Sequence, residues 1–409
     1  MRIVITGMGA ISSLGYDVNS FVTGIMTGRV GFSPIEQIPE IENLRVKIAA
    51  EVPDYDETTH FSKKELALFD RFTQFQLLSA REAISDAQLN FTPSLSERTC
   101  VIMGSGIGGQ STQEQNYKKI YHEGGKRLPP LTVPKLIPNA ASSHVTMEFG
   151  IIGPAFTIAS ACASSAHSLA QSCMMLRSGL VDVAITGGSE ACITYGTVKG
   201  WEALRVTSKT TCRPFSKDRS GLILGEGSGT IVLETLEHAQ SRGAHIYAEV
   251  IGFGMSSDAG NIVQPSSDGA ARAIQAALKD AKLNIEDVQY INAHGTGTPQ
   301  NDPSETAAIR KVFGEYADKL AVSSTKSMHG HALGAAAALE TIAVVAALEQ
   351  QIAPPTMNYS EVDPKCDLDY VVNKPRPMSI NIALNNSFAF GGLNAVTAFK
   401  RFSETSGSV

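Results

Sequence analysis

Apolar residues along this chain fall into two alternating patterns. Short, largely apolar runs end abruptly in glycine, as in Ile3-Val4-Ile5-Thr6-Gly7, residues 100–104, residues 182–187 and residues 290–295, while residues 156–159 run into the small-residue turn that starts at Ser160. Runs of four to eight residues without polar alternation predict strands buried on both faces. Between them lie longer stretches with helical spacing. Residues 266–283 place apolar side chains at 270, 274, 277, 278 and 281 behind a serine start, and residues 166–176 run as a helix up to Gly179. Strands alternating with helices predict αβ layers, with chemistry on the loops at strand ends. Two segments break the rhythm. Residues 32–69 are irregular and polar, and residues 110–143 carry Pro129, Pro130, Pro134 and Pro138. Both are expected to wander over the surface, the second without a long helix.

The pattern occurs twice. Residues 2–15 are echoed by 248–260, residues 100–109 by 290–298, and the strand before Gly187-Gly188 by the strand that leads to Gly391-Gly392. Three echoes in the same order predict two duplicated αβ halves, 1–245 and 246–409, each a mixed sheet between helices.

Composition narrows the class. The 409 residues carry a net charge of −6 and only 18% charged residues, below the roughly 25% of an average domain, as expected of a large core and a subunit interface. Without Lys/Arg blocks there is no footprint for nucleic acid and no attraction to anionic lipid. The six cysteines form no C-x-x-C pair, so neither a zinc site nor a disulfide framework is expected. The first apolar run is too short for a signal peptide. The apolar stretch 332–348 is interrupted by Glu340 and is too short to span a bilayer, so it predicts a buried helix in a cytoplasmic protein. The tail, residues 402–409, is expected to be solvated.

Candidate chemistry gathers at strand ends. Cys162 follows the strand 156–159 and opens a helix, where the helix dipole and free N–H groups favour a thiolate. A lone cysteine is more often structural, and the other five keep that assignment. His294 opens the turn His294-Gly295-Thr296-Gly297-Thr298-Pro299. A second loop holds Lys326, His329 and His331, with no cysteine or carboxylate at zinc-ligand spacing. Glu340, inside an apolar helix, needs a cation, and Lys326 is the nearest. The turn 385–394 is rich in aromatics and glycines.

In this order and spacing the turns resemble the elongating, Cys-His-His class of β-ketoacyl-acyl carrier protein synthases, within the thiolase superfamily. The motifs are Ala161-Cys162-Ala163-Ser164, Gly187-Gly188-Ser189-Glu190, residues 213–219, Leu224-Gly225-Glu226-Gly227, residues 294–299, residues 325–331 and residues 386–392. The resemblance implies a thiolase-like α/β fold, two pseudo-repeated halves in a layered αβαβα sandwich. It implies an acyltransferase that condenses an acyl thioester with malonyl-acyl carrier protein, losing carbon dioxide and adding two carbons, in fatty acid or type II polyketide biosynthesis. Cys162 would be the nucleophile and His294 and His331 the decarboxylation pair. Lys326 and Glu340 would support them, and His329 falls on a variable position. Phe390 would gate the site and, with Cys162, supply oxyanion N–H groups. Ile107 and Trp201 would line the acyl tunnel, Trp201 narrowing it, while Thr296 and Thr298 would hold the pantetheine arm. No metal and no resident cofactor is implied, since the carrier protein delivers the phosphopantetheine. The family pairs as homodimers or with a homologous subunit.

Departures from the elongation pattern are Ala389 and Leu393 in the gating turn, Asn301 where glycine is common, and a shortened loop 206–212. A Cβ at 389 would stiffen the hinge if that residue needs positive φ. These changes are compatible with a specialised polyketide or aryl-polyene ketosynthase acting beside a chain-length-factor-like partner. A degradative thiolase would need a second cysteine in the terminal glycine-rich turn, and Cys366 lies outside it. A non-catalytic subunit would lack the nucleophile.

Overall fold

The computed structural model describes residues 1–403; from residue 404 on, the tail expected to be solvated lies outside the described residues. The apolar runs form strands β1 (Ile3–Ser12), β2 (Thr99–Gly104), β3 (Ala155–Ile158), β4 (Val183–Glu190), β5 (Gly227–Thr235), β6 (Ala248–Ser257), β7 (Tyr290–Asn292), β8 (Ala321–Ser323), β9 (Asp369–Tyr370), β10 (Ile382–Ala389) and β11 (Leu393–Arg401). They pair in the order β9-β8-β7-β10-β11-β6-β1-β5-β4-β2-β3.

That order is a duplication. In the first half β1-β5-β4 are antiparallel neighbours and β4-β2-β3 parallel ones. In the second half β6-β11-β10 repeat the antiparallel part and β10-β7-β8 the parallel part, with β9 added outside. The three echoes in the sequence are β1 with β6, β2 with β7 and β4 with β10. The halves join antiparallel where Ile3, Val4 and Ile5 face Val250, Glu249 and Ala248.

Four helices make the layers. Helix α1 (Arg71–Asp86) covers β1 and β5 on one outer face. Helices α2 (Ser164–Arg177) and α4 (Ala336–Gln350) lie between the halves, where α2 touches β2, β4 and β11 and α4 touches β5 and β10. Helix α3 (Ser267–Ala281), capped by Ser266, covers β6 and β11 on the other outer face. The close seating of α1 depends on glycine: a Cβ at Gly9 would lie 1.9 Å from the carbonyl oxygen of Ser79.

Every residue from Ala336 to Leu348 is buried, which explains why this helix shows no polar face. The apolar segment Leu333–Gln350 is thus spent inside the protein, 89% buried. One expectation needs correction. Residues 110–143 include a twelve-residue helix, Gln110–Tyr121, because the prolines that stop helices begin only at 129.

Candidate active site

The polypeptide leaves β3 and turns sharply before α2. Ala161 takes φ 48, a left-handed conformation costing a residue with a Cβ about 1–2 kcal/mol, and Ala161–Ala163 form a single tight turn. Ser164 closes it: its hydroxyl accepts from the Ser160 N–H at 2.9 Å and donates to the Ala161 carbonyl at 2.7 Å. The turn holds Cys162 at the N-terminal end of α2 with 6% of its surface exposed. The duplicate turn, Leu333–Ala335 ahead of α4, repeats the strain at Leu333, φ 44, and carries Gly334 where the first has Cys162. No side chain fits there, since a Cβ at 334 would lie 2.4 Å from the Gly106 nitrogen.

Burial pushes the Cys162 thiol up to about 12, against the opposing pull of Lys326 and of the backbone N–H groups of Phe390 and Cys162. The helix terminus is expected to favour a thiolate; at the buried Cys162 desolvation outweighs it and the resting group is the thiol.

The histidines come from the strand ends of the second half. His294 follows β7, and its N–H and that of Gly295 each donate to a different oxygen of Glu305, both at 2.8 Å. Lys326 donates to the His294 carbonyl at 2.8 Å and faces His294 Nδ1 at 3.4 Å. An ammonium can only donate, so Nδ1 accepts and the ring proton sits on Nε2. Lys326 also pairs with Glu340, both fully buried, as the cost of an unpaired buried carboxylate requires. Burial raises the Glu340 carboxyl to about 7 despite that lysine.

His331 is held through its backbone, its N–H donating to the Ile223 carbonyl at 2.8 Å and its carbonyl accepting from Gly225 at 3.0 Å. The His294 and His331 rings meet edge to face with centroids 5.4 Å apart. Both are held well below the usual 6.5, first by burial and then by Lys326, so both are neutral. His329 turns away, bonded through Nε2 to Thr325 at 3.0 Å and packed on Phe21.

Cys162, His294 and His331 line one cavity, together with Thr296, Thr298 and Asn301. The hydroxyls of Thr296 and Thr298 bond each other at 2.9 Å. Trp201 and Phe390 face each other on the same cavity, centroids 5.8 Å apart and planes inclined by 25°. Phe390 sits in the hairpin between β10 and β11, where Ala389 pairs with Leu393 and Gly391 and Gly392 take φ 82 and 68. Residue 389 is outside the left-handed region, so its Cβ brings no strain in this conformation; it packs in the cluster that holds Cys162 and Leu393. Ile107 is not on the cavity wall. It is 37% exposed, its N–H donating to Glu190 at 3.2 Å.

Three carboxylates are not apparent from the sequence. Glu305 seats the His294 turn. Glu190, though inside one of the motifs, had no role; it accepts from the Gly106, Ile107 and Gly334 N–H groups and from Ser105, tying the two halves together behind the cysteine. Asp258 accepts from Asn394 at 2.7 Å, and its own N–H donates to the Gly392 carbonyl at 2.9 Å, fastening the gating hairpin. The only signal for any of them was an acidic residue in an otherwise apolar or glycine-rich setting.

Comparison with known proteins agrees with this geometry. Residues 1–239 match the model of the β-ketoacyl synthase N-terminal domain and residues 247–360 that of its C-terminal domain. The chain is 46% identical over 403 residues to nodulation protein E of Rhizobium sp. (strain N33), covering 98% of this chain and 99% of that protein. It is 42% identical over 409 residues to 3-oxoacyl-[acyl-carrier-protein] synthase 2 of Staphylococcus aureus (strain MRSA252), with coverage of 98% and 99%. Among solved structures, the ishigamide ketosynthase/chain length factor superposes with a TM-score of 0.93 at 36% identity, covering 98% of this chain and 99% of that one. A strained cysteine elbow, two neutral histidines on one cavity, and sequence relationship over nearly the full length place this chain in the β-ketoacyl synthase family.

Proposed function

We propose that this chain condenses an acyl thioester with malonyl-acyl carrier protein, extending the acyl group by two carbons. The observation that carries the proposal is the convergence of one buried cysteine sulfur and two buried, neutral imidazoles on a single cavity. In the first step Cys162 Sγ attacks the thioester carbonyl of the acyl group presented on a carrier protein's phosphopantetheine. The new S–C bond replaces the old one, and the pantetheine thiol departs with the proton lost by Cys162.

Malonyl thioester then enters. His294, with its proton on Nε2, and His331 donate to the thioester oxygen while the bond to the carboxylate carbon breaks. Carbon dioxide leaves, and the electron pair becomes an enolate. The enolate carbon attacks the Cys162 thioester, and the N–H groups of Cys162 and Phe390 hold the resulting oxyanion, each donor contributing about 2.7–4 kcal/mol. Collapse breaks the S–C bond and frees the Cys162 sulfur as a thiolate, which takes one proton from solvent water to return to the resting thiol. Thr296 and Thr298 hold the pantetheine arm, and Lys326 and Glu340 act electrostatically.

Intact-protein mass spectrometry with acyl- and then malonyl-carrier protein tests this assignment. Acyl mass on Cys162 followed by a product two carbons longer is expected. Cys162→Ala should carry no acyl mass, and His294→Ala or His331→Ala should acylate without condensing. Full condensation by either histidine variant would refute the decarboxylation roles of the pair.

The chain works in the cytoplasm in this proposal and pairs with a second subunit. Supporting the pairing, β3 is an edge strand and its Phe156 is 38% exposed. The subunit is an identical chain or a chain-length-factor-like homologue such as the one named for the ishigamide enzyme. Native mass spectrometry of the purified chain, alone and with such a homologue, separates the two.

A further inference from the structure

The single tryptophan of the chain stands at the cavity that holds Cys162 rather than deep in the core. Trp201, on the helix Tyr195–Leu204, packs on two apolar clusters at once: one contains Cys162, Ala337 and Ala389, the other Val198, Leu222 and Leu224. Its side chain is therefore anchored by contacts with both clusters. The facing ring, Phe390, is carried differently. It precedes Gly391 and Gly392, both at positive φ, in a three-residue hairpin tip. One wall is carried by a helix, and the other by a glycine-containing tip whose release requires breaking the bonds from the Gly391 N–H to the Ile262 carbonyl at 2.8 Å and from the Asp258 N–H to the Gly392 carbonyl at 2.9 Å.

The two walls are nearly parallel aromatic faces 5.8 Å apart between centroids. A flat conjugated chain needs two faces separated by about 7 Å, twice the contact distance of roughly 3.5 Å between carbon atoms. The ring planes lie no farther apart than their centroids, so admitting such a chain requires Phe390 to move away from Trp201 by at least about 1.2 Å. A saturated chain carries hydrogens above and below every carbon, needs a wider opening, and gains no stacking on either ring.

We infer that Trp201 and Phe390 form a slot that selects acyl chains with a flat conjugated segment, polyene or aryl, over saturated chains of the same length. The inference rests on Cys162 being the acylated nucleophile, and it makes Trp201 a specificity-determining residue, with Phe390 the movable half of the slot.

The test uses two ten-carbon thioesters, decanoyl and deca-4,6,8-trienoyl, whose carbonyl groups are alike because the conjugation begins beyond carbon 3. The probe is each acyl group on N-acetylcysteamine, and the readout is the rate of acyl mass gain at Cys162. The wild-type protein is expected to favour the trienoyl chain by on the order of tenfold, the size of one or two aromatic contacts. Trp201→Phe should keep the preference. Trp201→Leu should lose it while still taking decanoyl, with the slot widened to saturated chains. Equal wild-type rates, or an intact preference in Trp201→Leu, would overturn the inference while leaving the condensation assignment standing. The wild-type ratio decides by itself if Trp201→Leu does not fold. Absence of Cys162 labelling by both thioesters would overturn the underlying assignment and this one with it.

Discussion

Replacing Lys326 with methionine separates what that lysine does for stability from what it does for chemistry. The side chain has three jobs in the structure: it pairs with Glu340, it donates to the His294 carbonyl at 2.8 Å, and it faces His294 Nδ1 at 3.4 Å. Both members of the ion pair are fully buried, so removing one leaves a carboxylate without compensation at a cost of about 3–5 kcal/mol. Replacing both with apolar residues of similar volume, Lys326→Met with Glu340→Leu, restores most of that stability, because neither charge is then stranded. Activity should not follow. Without the ammonium nothing holds the proton on Nε2 of His294, and the donor aimed at the thioester oxygen is lost from part of the population. A fall in carbon dioxide release from malonyl-carrier protein is expected in both variants, with about 10²- to 10³-fold, the effect of one oxyanion donor missing altogether, as its upper limit. The lysine also depresses the His294 imidazole, so its removal should shift the acid limb of the rate profile upward, toward the ordinary histidine value. Denaturant unfolding and carbon dioxide release as a function of pH are the two assays. A double variant that regains decarboxylation together with stability would make Lys326 a structural residue and refute the tautomer argument.

Three further outcomes follow from burial and close packing. With His294 and His331 both depressed below 6.5, wild-type decarboxylation should stay level as pH falls through 6.5, and a half-loss at that value would show that at least one imidazole titrates normally. His329, held at about 3 by burial, binds its proton more readily in the unfolded chain; it therefore costs stability as pH drops from 6.5 toward 3, and His329→Gln should flatten that part of the stability curve measured by urea unfolding. Buried carboxyls raised by burial, such as Glu340, act with the opposite sign, which is why the comparison is of variant with wild type rather than of the whole curve. Gly334→Ala should destabilise the fold by at least about 2 kcal/mol, because its Cβ would lie 2.4 Å from the Gly106 nitrogen and 2.7 Å from Glu190; unchanged unfolding would mean that the two halves can separate there cheaply.

Cys162 and His294 were legible because each follows an apolar run, where a strand must stop and turn. His331 was legible from a different signal, the gathering of Lys326, His329 and His331 in one loop, and the ion pair of Lys326 with Glu340 followed from the cost of burying a carboxylate alone. The duplication was legible for the same reason, since strands that end in glycine repeat in a fixed order. Glu305, Glu190 and Asp258 were not. Each acts by accepting N–H groups or a side-chain amide from another segment, and such long-range pairing leaves no spacing in the sequence. The placement of Ile107 away from the cavity wall belongs to the same class, because the turn that carries it is set by Glu190, more than eighty residues along the chain.

The duplicated elbows show how one half came to hold the nucleophile. Ala161 and Leu333 share the same left-handed strain, and each introduces one of the two helices lying between the halves. Backbone strain at an elbow therefore does not create a catalytic group; it creates a tight turn whose central residue lies against the opposite half. In the second elbow that position is pressed on Gly106 and bound through its N–H to Glu190 at 3.0 Å, so only glycine fits. In the first elbow the corresponding position opens on the cavity bounded by the His294 and His331 turns, so a side chain has room and a use. The asymmetry lies in what faces each elbow, not in the elbow itself. Glu190, by gripping Gly334, Gly106 and Ile107 together, closes the second position and fixes the frame in which Cys162 meets the two histidines.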